Sequence, residues 1–211
     1  MNEETARSYD LVAARYAAEF QNELAGKPFD RKMLDWLIEK TDPARTLCDL
    51  GCGPGQIARY LKDRGADACG IDISPAMVAE AGRLHPDILF QTGDMTALAG
   101  VADGAFGGIA AFYSIIHVPR ARLGRAFSEI LRALAPGGVM LAAFHLGDET
   151  VHRDEWWGQN VSLDFNFLRT AEIREKLETA GFVIEEAIER DPYPDVEYQS
   201  RRAYVFARKP R

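Results

Sequence analysis

Between residues 45 and 145 the chain alternates short apolar runs with amphipathic stretches, and no other feature restricts its folding as much. The runs RTLCDL (45–50), ADACGIDI (66–73), DILFQT (87–92), GGIAAFYS (107–114) and VMLAAFH (139–145) have the length and content of short strands, the first of them buried. Ile57, Tyr60 and Leu61 give the stretch after the first run a helical core face. Ser74 and Pro75 supply an N-cap and a first helical residue for the next. Leu123, Phe127, Ile130 and Leu134 stripe a helix from about Pro119 until PGG (136–138) breaks it. Five strands joined by helical crossovers run parallel, with helices on both faces of the sheet.

Beyond the alternation, Ile173, Leu177 and Ala180 mark a helix from near Thr170, capped by Gly181. FVIEEAIE (182–189) and RAYVFAR (202–208) read as two more strands. Their connection, RDPYPDVEYQS, has no helical period, so an antiparallel pairing is expected there. The result is an α/β fold with a seven-stranded, mostly parallel sheet and one antiparallel strand. Tyr9, Val12, Tyr16 and Phe20 recur at helical spacing between Thr5 and Leu24, and Met33, Leu34, Leu37 and Ile38 mark a second helix. Residues 1–40 are therefore expected to form a helical cap or lid over a main domain at 41–211. Residues 148–168, DETVHRDEWWGQNVSLDFNFL, are aromatic and acidic without a clean helical period and read as a cap insertion.

In an open parallel sheet, ligands bind where the strands end at their carboxyl edge. The first turn there is DLGCGPGQ (49–56). Its glycines, Gly51, Gly53 and Gly55, allow a sharp turn and close approach of a ligand to the backbone. A dinucleotide turn wants its third glycine three residues after the second, but Gln56 stands there. Asp49 precedes the first glycine, and a carboxylate would repel a pyrophosphate and suit an ammonium group. The second strand ends in Asp72, where a carboxylate can accept from both hydroxyls of a ribose. The third is followed by Asp94 in GDM. A strand-end Asp alone commonly caps a helix; three in order on one edge point to a ligand site.

Bulk properties narrow the class. Formal net charge is −7, against nucleic acid or a membrane surface as partner. The 47% hydrophobic content supports a sizeable core. Cys48, Cys52 and Cys69 lack metal-site spacing and read as reduced thiols, so no metal is expected and a cytoplasmic location is. The opening MNEETARSYD does not read as a signal peptide, and no apolar run reaches membrane-spanning length.

DLGCGPGQ, GIDIS, GDM and LAPGG, in this order and spacing, resemble the class I S-adenosylmethionine-dependent methyltransferases, a Rossmann-like superfamily, over residues 45 to 208. The resemblance implies S-adenosyl-L-methionine as cofactor, S-adenosyl-L-homocysteine as product, and strand order 3-2-1-4-5-7-6. It implies that Asp49 and the backbone from Gly51 through Cys52 and Gly53 to Gly55 hold the methionine part. Asp72 would take the ribose, Ile73 would pack on the adenine, and Asp94 with the Met95 amide would meet the adenine edge. Tyr9 and Tyr16 would close over the cofactor from the first helix.

FYSIIHV (112–118) ends the fourth strand and puts Tyr113, Ser114 and His117 beside the expected sulfonium. Relatives that methylate amides or base amines carry an Asn-Pro-Pro-Tyr-like motif here, which this chain lacks. His117 has the pKa range of a general base, and His145, at the end of the fifth strand, is a second candidate. Each has an alternative as a structural histidine. Trp156, Trp157, Phe165 and Phe167 can line an apolar acceptor pocket or simply cover the sheet edge. The reading is an enzyme methylating a small molecule at O, N, S or C. A non-catalytic S-adenosylmethionine-binding regulator is the alternative. A dinucleotide oxidoreductase ranks below both: the third glycine is displaced, and no tyrosine has a lysine four residues on.

Overall fold

The computed structural model describes residues 3–211. The described residues form nine strands: β1 (Leu47–Leu50), β2 (Ala68–Asp72), β3 (Leu89–Thr92), β4 (Phe106–Phe112), β5 (Leu134–His145), β6 (Thr150–Trp156), β7 (Gln159–Asn166), β8 (Val183–Arg190) and β9 (Arg202–Arg208). Seven of them form one sheet in the order β3-β2-β1-β4-β5-β9-β8. β1 to β5 pair in parallel, while β9 is antiparallel to both β5 and β8. This is the order the resemblance implies, with 182–189 and 202–208 as sixth and seventh strands.

The α-helices of the described residues are α1 (Glu3–Phe20), α2 (Pro28–Lys40), α3 (Gln56–Asp63), α4 (Pro75–Leu84), α5 (Leu123–Ala133) and α6 (Thr170–Ala180). On one face, Phe127 and Ile130 of α5 and Ile173 and Leu177 of α6 cover Ile109, Ala111, Met140 and Ala142. On the other, Met33, Leu34 and Leu37 of α2 and Ile57 and Leu61 of α3 cover Leu47, Ala110, Val139 and Leu141. Each of these large side chains contributes about 1.5–3 kcal/mol by leaving water. β4, buried at all seven positions, is the middle of the sheet, so the turn that follows it is held rigidly.

Three local expectations are corrected. α1 stops at Phe20, and a 3₁₀ turn, Glu23–Gly26, carries the chain to α2. α5 ends at Ala133, and β5 already begins at Leu134, running through Pro136, Gly137 and Gly138. The extra residues bulge out between the Phe106–Leu134 and Gly108–Val139 pairs, and the Gly137 amide still reaches the Lys209 carbonyl at 3.0 Å. Residues 148–168 are a β-hairpin, β6 with β7. Its turn residues Trp157 and Gly158 both have positive φ (53° and 78°), as a tight hairpin turn requires. Val161 and Leu163 of β7 pack on Val12 of α1, so hairpin and first helix form one roof. Among the described residues no helix is long and apolar enough to cross a membrane.

Candidate active site

Under that roof, at the carboxyl edge of the parallel strands, lies a cavity of about 460 Å³. Four of the five parallel strands deliver a wall residue directly: Gly51 to Gly53 after β1, Asp72 and Ile73 at β2, Tyr113 and Ser114 after β4, and His145 closing β5.

Asp72 organises one half. Its Oδ2 accepts from the Gly53 amide and its Oδ1 from the Ser74 amide, both at 2.8 Å. Each oxygen keeps a further acceptor position, and the carboxylate lines the cavity. Burial raises the Asp72 pKa against these amide bonds. Ser74 caps α4 by accepting from the Met77 amide at 3.1 Å, with Pro75 at the first helical position as read from sequence.

The loop glycines divide by function. All three have positive φ. A Cβ on Gly51 would stand 2.2 Å from the Ser114 Cβ, and one on Gly55 would stand 2.7 Å from the Phe90 ring, so these two are required by the protein's own packing. Only Gly53 has open space before it, with Tyr16 Cε1 nearest at 3.9 Å. It is the position at which a ligand can lie against the backbone.

The other half is aromatic. Tyr9, Tyr16, Trp156, Phe165 and Phe167 line it with Tyr113 and His145. Tyr16 meets Tyr9 and Trp156 edge-on at 5.9 and 5.7 Å, and His145 stacks on Phe167 at 5.3 Å. Tyr113 is one of three non-glycine residues with positive φ (52°) among the described residues. Such strain at a wall position is a mark of functional sites.

His117 sits where the halves meet. Its Nδ1 lies 2.9 Å from the Asp164 carbonyl, which can only accept, so Nδ1 carries the hydrogen. Nε2 is then the lone-pair nitrogen, and the Tyr9 hydroxyl donates to it at 2.8 Å. Burial lowers the His117 pKa to about 4. His145 is lowered to about 3 by burial and by Arg202, and its Nδ1 pairs with the Ser200 hydroxyl at 2.7 Å. Both rings are neutral at neutral pH, as a proton acceptor must be.

Several residues expected at the cavity are elsewhere. Asp49 is 1% exposed behind the wall, where its Oδ2 accepts from the Ala58 amide of α3 at 3.1 Å. Gly55 faces Phe90. Asp94 folds back on Thr96, accepting from its amide and hydroxyl at 2.8 and 2.9 Å, and Met95 is 1% exposed in the core. Trp157 lies on the outside of the roof, stacked on Trp156 at 4.7 Å.

Asp49 has a measurable consequence. Burial pushes its carboxyl up to about 8. The folded chain therefore holds a proton that the unfolded chain releases near 3.9. The stability this proton contributes is complete below about pH 4 and is lost as pH rises through about 8. Asp49→Asn should remove that decline: between pH 5 and 8 the urea midpoint of the parent falls and that of the variant falls less. Parallel curves would disprove the assignment.

Sequence reasoning missed a buried charge cluster at the cavity floor. Glu197, from the loop between β8 and β9, pairs with Arg190 at 2.7 Å and with Arg202 at 3.3 Å. Arg190 reaches Asp30 of α2 at 2.8 Å, and Tyr204 joins Asp30 to the Tyr113 hydroxyl. The signal present was the placement of Arg190 and Arg202 as facing residues at the ends of two paired strands, with an acid in the loop between.

Residues 47–138 match the sequence profile of a family described as a methyltransferase domain. A demethylmenaquinone methyltransferase of Beutenbergia cavernae is 35% identical over 144 residues, covering 66% of this chain and 57% of that one. A solved S-adenosylmethionine-dependent methyltransferase of Methanosarcina mazei superposes with a TM-score of 0.74 at 15% identity, over 83% of this chain and 97% of that one. Over residues 47–138 the chain carries the methyltransferase domain of the class I S-adenosylmethionine-dependent superfamily. A trans-aconitate 2-methyltransferase of Rhizobium meliloti is 33% identical over 133 residues, covering 61% of this chain and 47% of the relative. The chain thus spans about half the length of the curated methyltransferases it matches. The methyltransferase-domain match runs from β1 to the bulge of β5 and leaves out the hairpin and the β8–β9 loop.

Proposed function

We propose that this chain transfers the methyl group of S-adenosylmethionine to a small molecule with an apolar, aromatic body. One observation carries the reading: a single cavity joins Asp72 and the open backbone of Gly53 to His117 and an aromatic wall. The residues fit the cofactor. Asp72 has acceptor positions left for the two ribose hydroxyls, Gly53 leaves room for the methionine part, and Ile73 and Met77 offer an apolar surface to the adenine. Tyr9, Tyr16 and Trp156 line the cavity with aromatic rings, whose faces attract a cation.

When bound, the cofactor supplies a methyl group on a sulfonium, already an excellent leaving group. The protein's part is alignment and exclusion of water. The roof of α1 and hairpin excludes water, the aromatic wall orients the acceptor, and where the acceptor must lose a proton the Tyr9 hydroxyl takes it while passing its own to His117 Nε2. The two named relatives act on different acceptors, a demethylmenaquinone and trans-aconitate, so the shared domain does not choose the acceptor. The wall of Trp156, Phe165 and Phe167 favours an aromatic one. The three free thiols support a reducing, cytoplasmic compartment.

Calorimetric titration with S-adenosylmethionine, followed by labelled-methyl transfer into a metabolite panel, tests the reading. No binding by the folded chain would sink it, and binding without transfer to any acceptor would favour a regulator. Asp72→Ala should weaken binding about 10- to 100-fold, as expected when charge-assisted hydrogen bonds of roughly 1.5–3 kcal/mol are lost. Unchanged affinity would remove Asp72 from the cofactor site.

A further inference from the structure

We infer that Ser8, Tyr9 and Asp10, three consecutive residues of α1, are positioning residues that couple occupancy of the cofactor half of the cavity to the orientation of His117. The inference rests on the cofactor reading above. Successive helical residues point about 100° apart, so three neighbours can reach three different walls. Here each does. Ser8, 3% exposed, accepts from the Ser162 amide at 2.9 Å and donates to the Ser162 carbonyl at 3.2 Å, fastening α1 to the hairpin. Tyr9 donates to His117 Nε2. Asp10 Oδ1 accepts from the Ser74 hydroxyl at 2.6 Å and from the Ala76 amide at 3.0 Å.

The third contact gives the triplet its reach. Ser74 is fully buried, and its amide is the donor that holds Asp72 Oδ1. An exposed carboxylate on the roof therefore fixes the rotamer of the buried serine beside the ribose-facing carboxylate. It also places a negative charge at the N-terminus of α4, where the helix dipole favours one. The chain Asp72, Ser74, Asp10, Tyr9, His117 runs from one half of the cavity to the other through three hydrogen bonds and one peptide link. A ligand that draws Asp72 toward itself pulls on Ser74. Through Asp10 that pull reaches the turn of α1 whose tyrosine orients the imidazole. Tyr9 touches His117 but Asp10 touches neither ring nor cavity, so Asp10 is the residue that isolates the coupling.

The test uses S-adenosylhomocysteine as probe on the full chain, with three readouts: its Kd by calorimetry, amide hydrogen exchange over residues 3–20, and the His117 imidazole nitrogen resonances. In the parent chain the probe should slow exchange in α1 and shift the His117 signal. Asp10→Ala should raise the Kd about tenfold and abolish both responses, with the circular dichroism spectrum unchanged. Asp10→Asn keeps an acceptor oxygen and should stay within about threefold of the parent. Ser8→Ala, which leaves the α4 contacts intact, should lose the α1 and His117 responses with little change in Kd, and it carries the test should Asp10→Ala fail to fold. Parent-like Kd and parent-like responses in Asp10→Ala, or in Ser8→Ala if that variant stands in, would overturn the coupling alone. A parent chain that does not bind the probe would overturn the cofactor reading and the coupling with it.

Discussion

Replacing His117 with alanine is expected to slow methyl transfer about 10²- to 10³-fold, the usual worth of a positioned proton acceptor. Affinity for S-adenosylmethionine should stay within about threefold of the parent, since the lost contacts go to Tyr9 and Asp164 and not to Asp72. The Asp164 carbonyl holds the hydrogen on Nδ1, so Nε2 is the nitrogen that can accept. Burial keeps the ring's pKa near 4, so the ring is neutral throughout the neutral range, as the proposed role requires. The kcat/KM profile should therefore show no limb from His117 between about pH 5.5 and 8. A buried imidazole with so low a pKa is reluctant to take a charge. Methyl transfer, however, removes one positive charge from the same cavity, so a proton gained by His117 leaves the net charge as it was. Turnover in the variant within about threefold of the parent, measured with the acceptor that labelling identifies, would make His117 a packing residue.

Glu197→Ala is expected to destabilise the fold by about 3–5 kcal/mol, the range for removing one partner from a buried ion pair. The Glu197 side chain is 0% exposed, and Arg202 is 3% exposed with Glu197 as its carboxylate partner. Arg190 keeps Asp30, but Arg202 keeps the carbonyls of Ser200 and Tyr198 and the Tyr113 ring and, among the described residues, no carboxylate, so a charge is left buried without an opposite charge. Burial opposes the Glu197 charge, yet the Arg190 guanidinium and the Tyr193 amide hold its pKa below the ordinary glutamate value. The associated stability is thus present above about pH 4.3, the unfolded value, and is lost as pH falls through the lower folded value. Urea unfolding at pH 7 and pH 4 should show the gap between parent and variant shrinking with acidity. A gap below about 1 kcal/mol at pH 7 would mean the cluster is solvated.

The middle of the sheet was legible because β1 and β4 are buried at every position and read as unbroken apolar runs, whereas the edge strands β3 and β8 are mostly exposed and were read from their place in the alternation. Asp72 was legible because it is the last residue of its strand, where the side chain has little choice but the edge. Asp49 was misread for the same kind of reason. It lies one residue inside β1, and alternation along a strand turns it beneath α3 instead of toward the cavity. The hairpin was hidden because a register shift between Arg153 and Glu155 breaks its alternation, and because its apolar face is made by packing on Val12, far away in sequence. Glu197 was hidden because its burial depends on two arginines brought together by the pairing of β8 with β9.

Because β9 runs against its neighbours, its first residue, Arg202, lies opposite His145, the last residue of β5. The single reversed strand thus delivers its leading loop, with Val196 and Tyr198, to the same rim that the parallel strands reach with their ends. In the proposed function Gly53, Asp72, Ile73 and Met77 on the cofactor side lie between 51 and 77, whereas hairpin, His145 and this loop lie between 145 and 202. Under the proposed function, substitutions in the later segment would alter the acceptor side of the cavity and leave the residues at 51–77 in place. The antiparallel strand is what brings this second stretch of sequence to the rim.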